Sequence, residues 1–407
     1  MKKIAINKIE PGMILGDDIV NNEGRLLFSK NMVLTQKEIR TLKMWGIPEI
    51  LIISENRREQ ESGTGLRDHK ARQFLDHWFR HNDMTHPVIQ TLYDICLDRL
   101  GKNLFEISSL FEKKQAEPAF ANPEKLRTVK DIHRLLNDRL KLPALPTIFS
   151  EINEAIQNPR FSGKDIADIV SKDPSLSATL LKIVNSAYYG FSEKVESIQF
   201  AAMALGTRQV GALALGITVV NYFKGISDKR INMQSFWRHS VACAITARTL
   251  AAHIKGVVPE RVFIGGMLHD IGRLVLLNAF PDDYNQLFSA SRSPGVFLYQ
   301  MEPAVFGCTH ARFGGMLAET WNFSAGISKL IQHHHDDFKA LPPIEIAIVY
   351  FSNWLVSAVG IGFSGEDELP ALNIKAWKAM VISKSLLESI VKQVDRQVVE
   401  TVKFFYD

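Results

Sequence analysis

The feature that most constrains this fold is a set of histidines, because each falls where the sequence reads as helix. His239 lies in "SFWRHSVACA", His269 and Asp270 in "GGMLHDIGRL", His310 in "CTHARFGG", and His333, His334 and His335 form a run. Thirty residues separate His239 from His269, forty separate Asp270 from His310, and twenty-four separate His310 from His334. Apolar residues recur at helical spacing through each of these segments. A helical bundle is the architecture that gathers ligands from several such helices into one core. The chain is therefore expected to be mainly α, and the question is whether its core holds a metal.

The helical pattern starts in earnest at Leu142. In "LPALPTIFSEINEAIQNP", Pro143 and Pro146 mark the start of a helix and Asn158-Pro159 its end. Ser162 reads as the N-cap of the next helix, and Asp173 or Ser175 opens the one after. Short helices continue to about residue 360, where "GIGFSGEDELP" reads as a flexible loop. A final amphipathic helix over about 374–405 carries Leu387, Ile390, Val391, Val394, Val398 and Val402 along one stripe. No internal repeat at a fixed period is visible.

Upstream the pattern differs. Residues 1–55 read as a small α+β domain: "KIAINKI", "MILGDDIV", "RLLFSKN" and "IPEILII" are short strand-like runs. "TQKEIRTLKMWG" is a short amphipathic helix capped by Thr35 and stopped by Gly46. Residues 56–141 read as a polar linker and a helical connector. The connector's apolar faces would pack on the next domain or on a second copy of the chain. Residues 142–407 form the main helical domain.

Composition excludes several classes. An apolar content of 46% and a charged content of 23% are ordinary for a soluble globular protein. The longest apolar stretch, around Val210 to Val220, has about 11 residues, against the ~20 a spanning helix needs. "MKKIAINKIEPG" lacks a signal-peptide core, so a cytoplasmic location without membrane association is expected. Cys96, Cys243 and Cys308 are odd in number and far apart, which argues against disulfides and for small core residues. The net charge of +4 comes without a basic run, so no nucleic-acid partner is expected. Trp321 and Phe323 read as cover for the bundle core, as do the aromatics of "NSAYYGF". Gly206, Gly211 and Gly216 are too widely spaced for a phosphate loop.

From Leu142 to Val394 the chain resembles the HD-related output domain family, a branch of the HD phosphohydrolase superfamily. The resemblance rests on "LPALPTIFSEI", "IADIVSKDPSLSATLLKIVNSAYYGF", "SIQFAAMALG", "FWRHSVACA", "GGMLHDIGRLVL", Glu302 with "THARFGGMLAETWNF", and "IQHHHDD", in that order. Residues 3–54 resemble the small domain found ahead of the HD-GYP cyclic-dinucleotide phosphodiesterases. The resemblance implies an HD-like bundle in which His239, His269, Asp270, His310, His334 and His335 hold metal in catalytic relatives. It also shows where this chain departs from them. Ser235 stands where the relatives carry an acid, Arg273 where they carry a lysine, and Asn353 where they carry a late aspartate. The Gly-Tyr-Pro element is missing.

These departures leave Asp270 as the one carboxylate at the centre, unless Asp336 or Asp337 swings in. Two or more divalent ions against one carboxylate would leave costly uncompensated charge in a low-dielectric core. The expected cofactor is therefore one divalent transition metal (Fe, Mn, Zn or Ni) or none. Arg273 is expected either to pair with Asp270 or a nearby acid, or to contact a ligand's phosphate. The sequence thus predicts a bacterial signalling protein whose helical domain works by binding. Its partners would be other signalling proteins or a nucleotide second messenger, with homodimerisation through the connector and the C-terminal helix. The alternative is a metal-dependent phosphohydrolase acting on a nucleotide or cyclic dinucleotide.

Overall fold

The computed structural model describes residues 2–52 apart from 12, 14, 16, 18, 21–25, 29–31, 33, 45–46 and 48. It also describes 69–102, 104, and 145–406 apart from 187–188, 224–231 and 292–293. The second half of the expected connector, including "FEISSLFEKK" and "VKDIHRLLNDRL", lies outside the described residues. The chain divides into two compact units, Met1–Lys70 and Ala71–Asp407.

The first unit is small and mixed. β1 (Lys2–Ala5) pairs antiparallel with β4 (Glu49–Ile52), with Lys2 opposite Ile52, and β2 (Ile19–Val20) pairs antiparallel with β3 (Leu26–Phe28). The alternation in "EILI" turns Ile50 and Ile52 inward and Glu49 outward. Helix α1 (Gln36–Met44) follows Thr35, whose backbone N–H donates to Glu38. Ile9, Leu15, Leu34, Ile39, Leu42, Ile50 and Ile52 form the core.

The second unit is helical. Its first helices, α2 (residues 69–78) and α3 (Pro87–Gly101), pack on the bundle. The Trp78 indole N–H donates to the Ala358 carbonyl at 3.3 Å, and the buried Arg99 donates to the Val359 carbonyl and pairs with Asp395. Then come α4 (Thr147–Gln157), α5 (Gly163–Ser171), α6 (Pro174–Val184), α7 (Ile198–Leu205) and α8 (Thr207–Phe223). Ser162 and Asp165 form a reciprocal capping box at α5, and Asp173 caps α6.

The helices that build the centre follow. They are α9 (Met233–Ala251), α10 (Pro259–Leu268), α11 (Ile271–Ala279), α12 (Pro281–Ala290), α13 (Leu298–Phe306), α14 (His310–Thr320), α15 (Ala325–Gln332) and α16 (Ile344–Ala358). By length and hydropathy Pro259–Ala279 could cross a membrane. In the structure it is two core helices, α10 and α11, that meet at the buried His269-Asp270 pair.

The expected final helix is two. α17 (Ile374–Met380) ends at Val381, which takes a left-handed conformation at φ +51°, and α18 (Leu386–Tyr406) begins beyond it. A side-chain stripe reports a helical face but not a backbone break within it. The stripe residues Leu387 to Val402 are all buried.

Candidate functional site

Local sequence explains how the ligand residues reach one place. Asp270 lies in the break between α10 and α11. His310 is the first residue of α14, whose N-cap Thr309 accepts from the Arg312 N–H. His334 follows the C-cap of α15. α11 and α14 touch backbone to backbone at Gly272 and Gly314, because a side chain at Gly272 would collide with the His310 carbonyl. That close approach sets His310 against Asp270.

The ring tautomers follow from their acceptors. The His269 Nδ1–H donates to the Gly266 carbonyl at 2.7 Å, and the His334 Nδ1–H donates to the Ile331 carbonyl at 2.6 Å. A carbonyl oxygen can only accept, so the proton is on Nδ1. The His310 Nδ1–H donates to the Glu302 carboxylate at 2.7 Å. All three rings therefore turn Nε2 the other way, toward Asp270: 3.0 Å from Oδ2 for His269, and 2.9 Å and 3.5 Å from Oδ1 for His310 and His334. These are close approaches, not aligned bonds. His269 Nε2 and both Asp270 oxygens are buried and, among the described residues, have no aligned hydrogen-bond partner.

Lone pairs facing a carboxylate need a cation between them, either a proton or a metal. Imidazoles fixed through Nδ1 to a carbonyl or carboxylate are also the arrangement that orients histidine ligands on a metal. Donor atoms of Asp270, His310, His334 and His335 lie within 4.8 Å of one another, and those of His239, Cys243 and His269 do likewise. The donor set fits one divalent ion held by His269, Asp270, His310 and His334.

Electrostatics favours neutral rings at His334, His239 and His335 beside an ionised acid. Burial pushes His334 down to about 3 and His239 down to about 4, and holds His335 well below the usual histidine range. Burial opposes the Asp270 charge, but His269 and Arg273 outweigh it and keep the carboxyl well below its ordinary value. His310 is raised: burial lowers it, and Glu302 and Asp270 more than offset that.

The carboxylate count is higher than the sequence reading allowed. Glu302 is fully buried and accepts from the His310 backbone N–H, the His310 ring and the Tyr284 hydroxyl. Glu366 accepts from Arg273 at 3.0 Å and from the Leu298 and Tyr299 N–H groups at the start of α13. Glu302 stood inside a recognised motif, and its nearness to the motif histidine was the available signal. Glu366 lay in the segment read as a flexible loop.

That segment, residues 360–370, is instead a packed strap. Gly362 (φ +65°) lies where any side chain would strike the His239 backbone, and the Ser364 carbonyl accepts from Arg273 at 2.8 Å. Its glycines serve positive φ and close approach rather than mobility. Glu368 pairs with Arg80 and His81 and accepts from the Gly295 N–H, while Asn82 bonds the backbone of Pro370 and Leu372.

The remaining expected residues are placed as follows. His239 Nε2 is 3.0 Å from the Asn353 side-chain oxygen and 3.5 Å from Cys243, so Asn353 occupies that ring nitrogen. His335 stacks flat on Tyr299 at 4.4 Å. Asp336 pairs with His333 and Asp337 with Lys339, so neither reaches Asp270. Arg273 is fully buried. Its Nε is 3.9 Å from Asp270, its terminal nitrogens are taken by Ser364 and Glu366, and it is not among the residues lining the adjoining cavity. That cavity holds about 360 Å³ and reaches His334, His335, Asn353 and Glu366.

A helical bundle with a His-Asp break at its core defines an HD-like unit. The family model for the HDOD domain matches residues 142–337, so this stretch carries an HDOD domain. An uncharacterised protein of Treponema pallidum (strain Nichols) is 26% identical over 223 residues, which is 53% of this chain and 42% of that relative. The chain thus spans less than half the length of that relative. Among solved structures, an HDOD domain protein of unknown function from Geobacter sulfurreducens is 25% identical (TM-score 0.55), covering 65% of this chain and 92% of that one. A Shewanella amazonensis SB2B protein, provisionally assigned as a phosphohydrolase, is 24% identical (TM-score 0.53; 65% and 95% covered). A Marinobacter aquaeolei VT8 protein, provisionally assigned to signal transduction, is 20% identical (TM-score 0.57; 74% and 67% covered). The last two establish the fold alone.

Proposed function

We propose that this chain is a bacterial signal-transduction protein of the cytoplasm whose HDOD unit acts by binding a partner rather than by hydrolysing a phosphodiester. One observation carries this reading: among the described residues, no lysine or arginine lines the cavity that leads to the centre. An anionic phosphate approaching there meets Asp336, Asp337 and Glu366. Arg273, the cation nearest the centre, is already neutralised by Glu366 and Asp270. The Marinobacter protein's assignment is in keeping with a signalling role. The partner is another signalling protein, and the N-terminal unit, which resembles the domain ahead of HD-GYP enzymes, provides the input.

The test is turnover. Purified protein supplied with Mn, Fe or Zn should leave cyclic dinucleotides and a generic aryl phosphodiester intact. Hydrolysis that disappears in His269→Ala would overturn the binding reading.

A second reading, a metal-dependent phosphohydrolase, is favoured by the convergence of three Nε2 atoms on Asp270. A divalent ion there would supply Lewis-acid chemistry. His269, Asp270, His310 and His334 would hold it, with Glu302 and the Gly266 and Ile331 carbonyls orienting the rings.

A further inference from the structure

We infer that the cavity beside the histidine centre binds a small organic cation with a substituted ammonium head. The inference rests on the binding reading above and names the ligand chemistry of the same cavity. Its volume of about 360 Å³ is that of a small-molecule site.

Seven of its seventeen lining residues are of two kinds that attract positive charge. Phe297, Tyr299, Tyr350 and Trp354 present aromatic rings, whose faces are electron-rich and take cations at about 6 Å from the ring centre. Asp336, Asp337 and Glu366 add carboxylates. Their partners His333, Lys339 and Arg273 are not among the lining residues.

The rings are held in place. The Trp354 N–H donates to the Pro370 carbonyl at 2.8 Å, the Tyr350 hydroxyl accepts from the Asn373 N–H at 3.0 Å, and Tyr299 lies parallel to His335 at 4.4 Å. A wall fixed before binding loses little side-chain freedom when a ligand arrives. A phosphate-bearing ligand would be repelled by the carboxylates.

Choline titrated into the full-length protein, by calorimetry in the presence of a chelator, tests this; the chelator removes any contribution from metal at Asp270. Saturable binding that weakens as salt is raised is expected. Asp336→Asn combined with Asp337→Asn changes only exposed carboxylates and should weaken binding about tenfold. Tyr299→Leu should do the same, with the helical circular dichroism signal retained in each. Adenosine monophosphate and a cyclic dinucleotide should not displace choline. The proposal is overturned by absence of saturable choline binding up to millimolar concentration, by binding that neither variant weakens, or by displacement with nucleotide. Choline failing to bind while no phosphodiester is hydrolysed would remove the cation site alone; hydrolysis would remove the binding reading itself.

Discussion

His239 and His310 end a row of four rings, His239–His269–His334–His310, with neighbouring centroids 5.3, 4.9 and 5.3 Å apart. Both end rings are buried, yet they are held by different atoms. Glu302 takes the Nδ1 proton of His310 and so turns Nε2 toward Asp270. At the other end Asn353 takes Nε2 of His239, the nitrogen that would face a ligand. A carboxylate behind a ring prepares it to coordinate, whereas an amide in front of it turns it into a hydrogen-bonded core residue. The His310 ring is thus oriented toward Asp270, while the His239 ring is capped by an amide.

Four measurements would break or sharpen that contrast. The largest effect is expected from Glu302→Ala, which strips three buried donors of their acceptor. It should cost about 3–5 kcal/mol in chemical denaturation, the usual cost of breaking a buried charged pair. A loss below about 1 kcal/mol would mean that the His310 end is not anchored through this acid. Next, Asp270→Asn should lower Zn or Mn affinity at least about a hundredfold, since it changes the group all three Nε2 atoms face and not merely an outer partner. Metal content by mass spectrometry, unchanged from the parent, would rule out the centre as the binding site. Third, Asn353→Asp offers the His239 end a carboxylate. Metal affinity should rise about tenfold, or a second ion should bind, as read by calorimetric titration. No change would show that something other than the amide closes that end. The smallest effect is expected from His239→Ala, about 1–3 kcal/mol for a lost buried hydrogen bond and its packing, with metal content unaltered. Loss of metal in this variant would erase the distinction between the two ends.

The sequence exposed the helices because periodicity and caps are local. Ser162 with Asp165, and Asp173 before Pro174, are readable as letters and hold as hydrogen bonds. The clustering histidines were legible as candidates as well, since each lay inside a recognisable segment. What stayed hidden depends on contacts between distant positions. Glu302 matters because His310, Tyr284 and a backbone N–H converge on it. Glu366 matters because it accepts from the fully buried Arg273. Residues 360–370 misread as loose for a related reason: glycine and acids look like solvent-exposed chain until the backbone they approach is known. The break at Val381 was invisible because the apolar stripe beyond it keeps its spacing within the second helix.

That same strap has a consequence for how the molecule comes to be made. Glu366 neutralises Arg273 from 93 residues downstream, and Glu368 meets Arg80 across 288. Closing such long loops is a late and entropically costly step. On the ribosome, every helix from α2 to α16 emerges before the acid that Arg273 requires. Until then the partly synthesised bundle holds Arg273 against Asp270 alone, at 3.9 Å, or stays open there to water. Completion of the core thus depends on the arrival of one short stretch made after all of the centre's histidines.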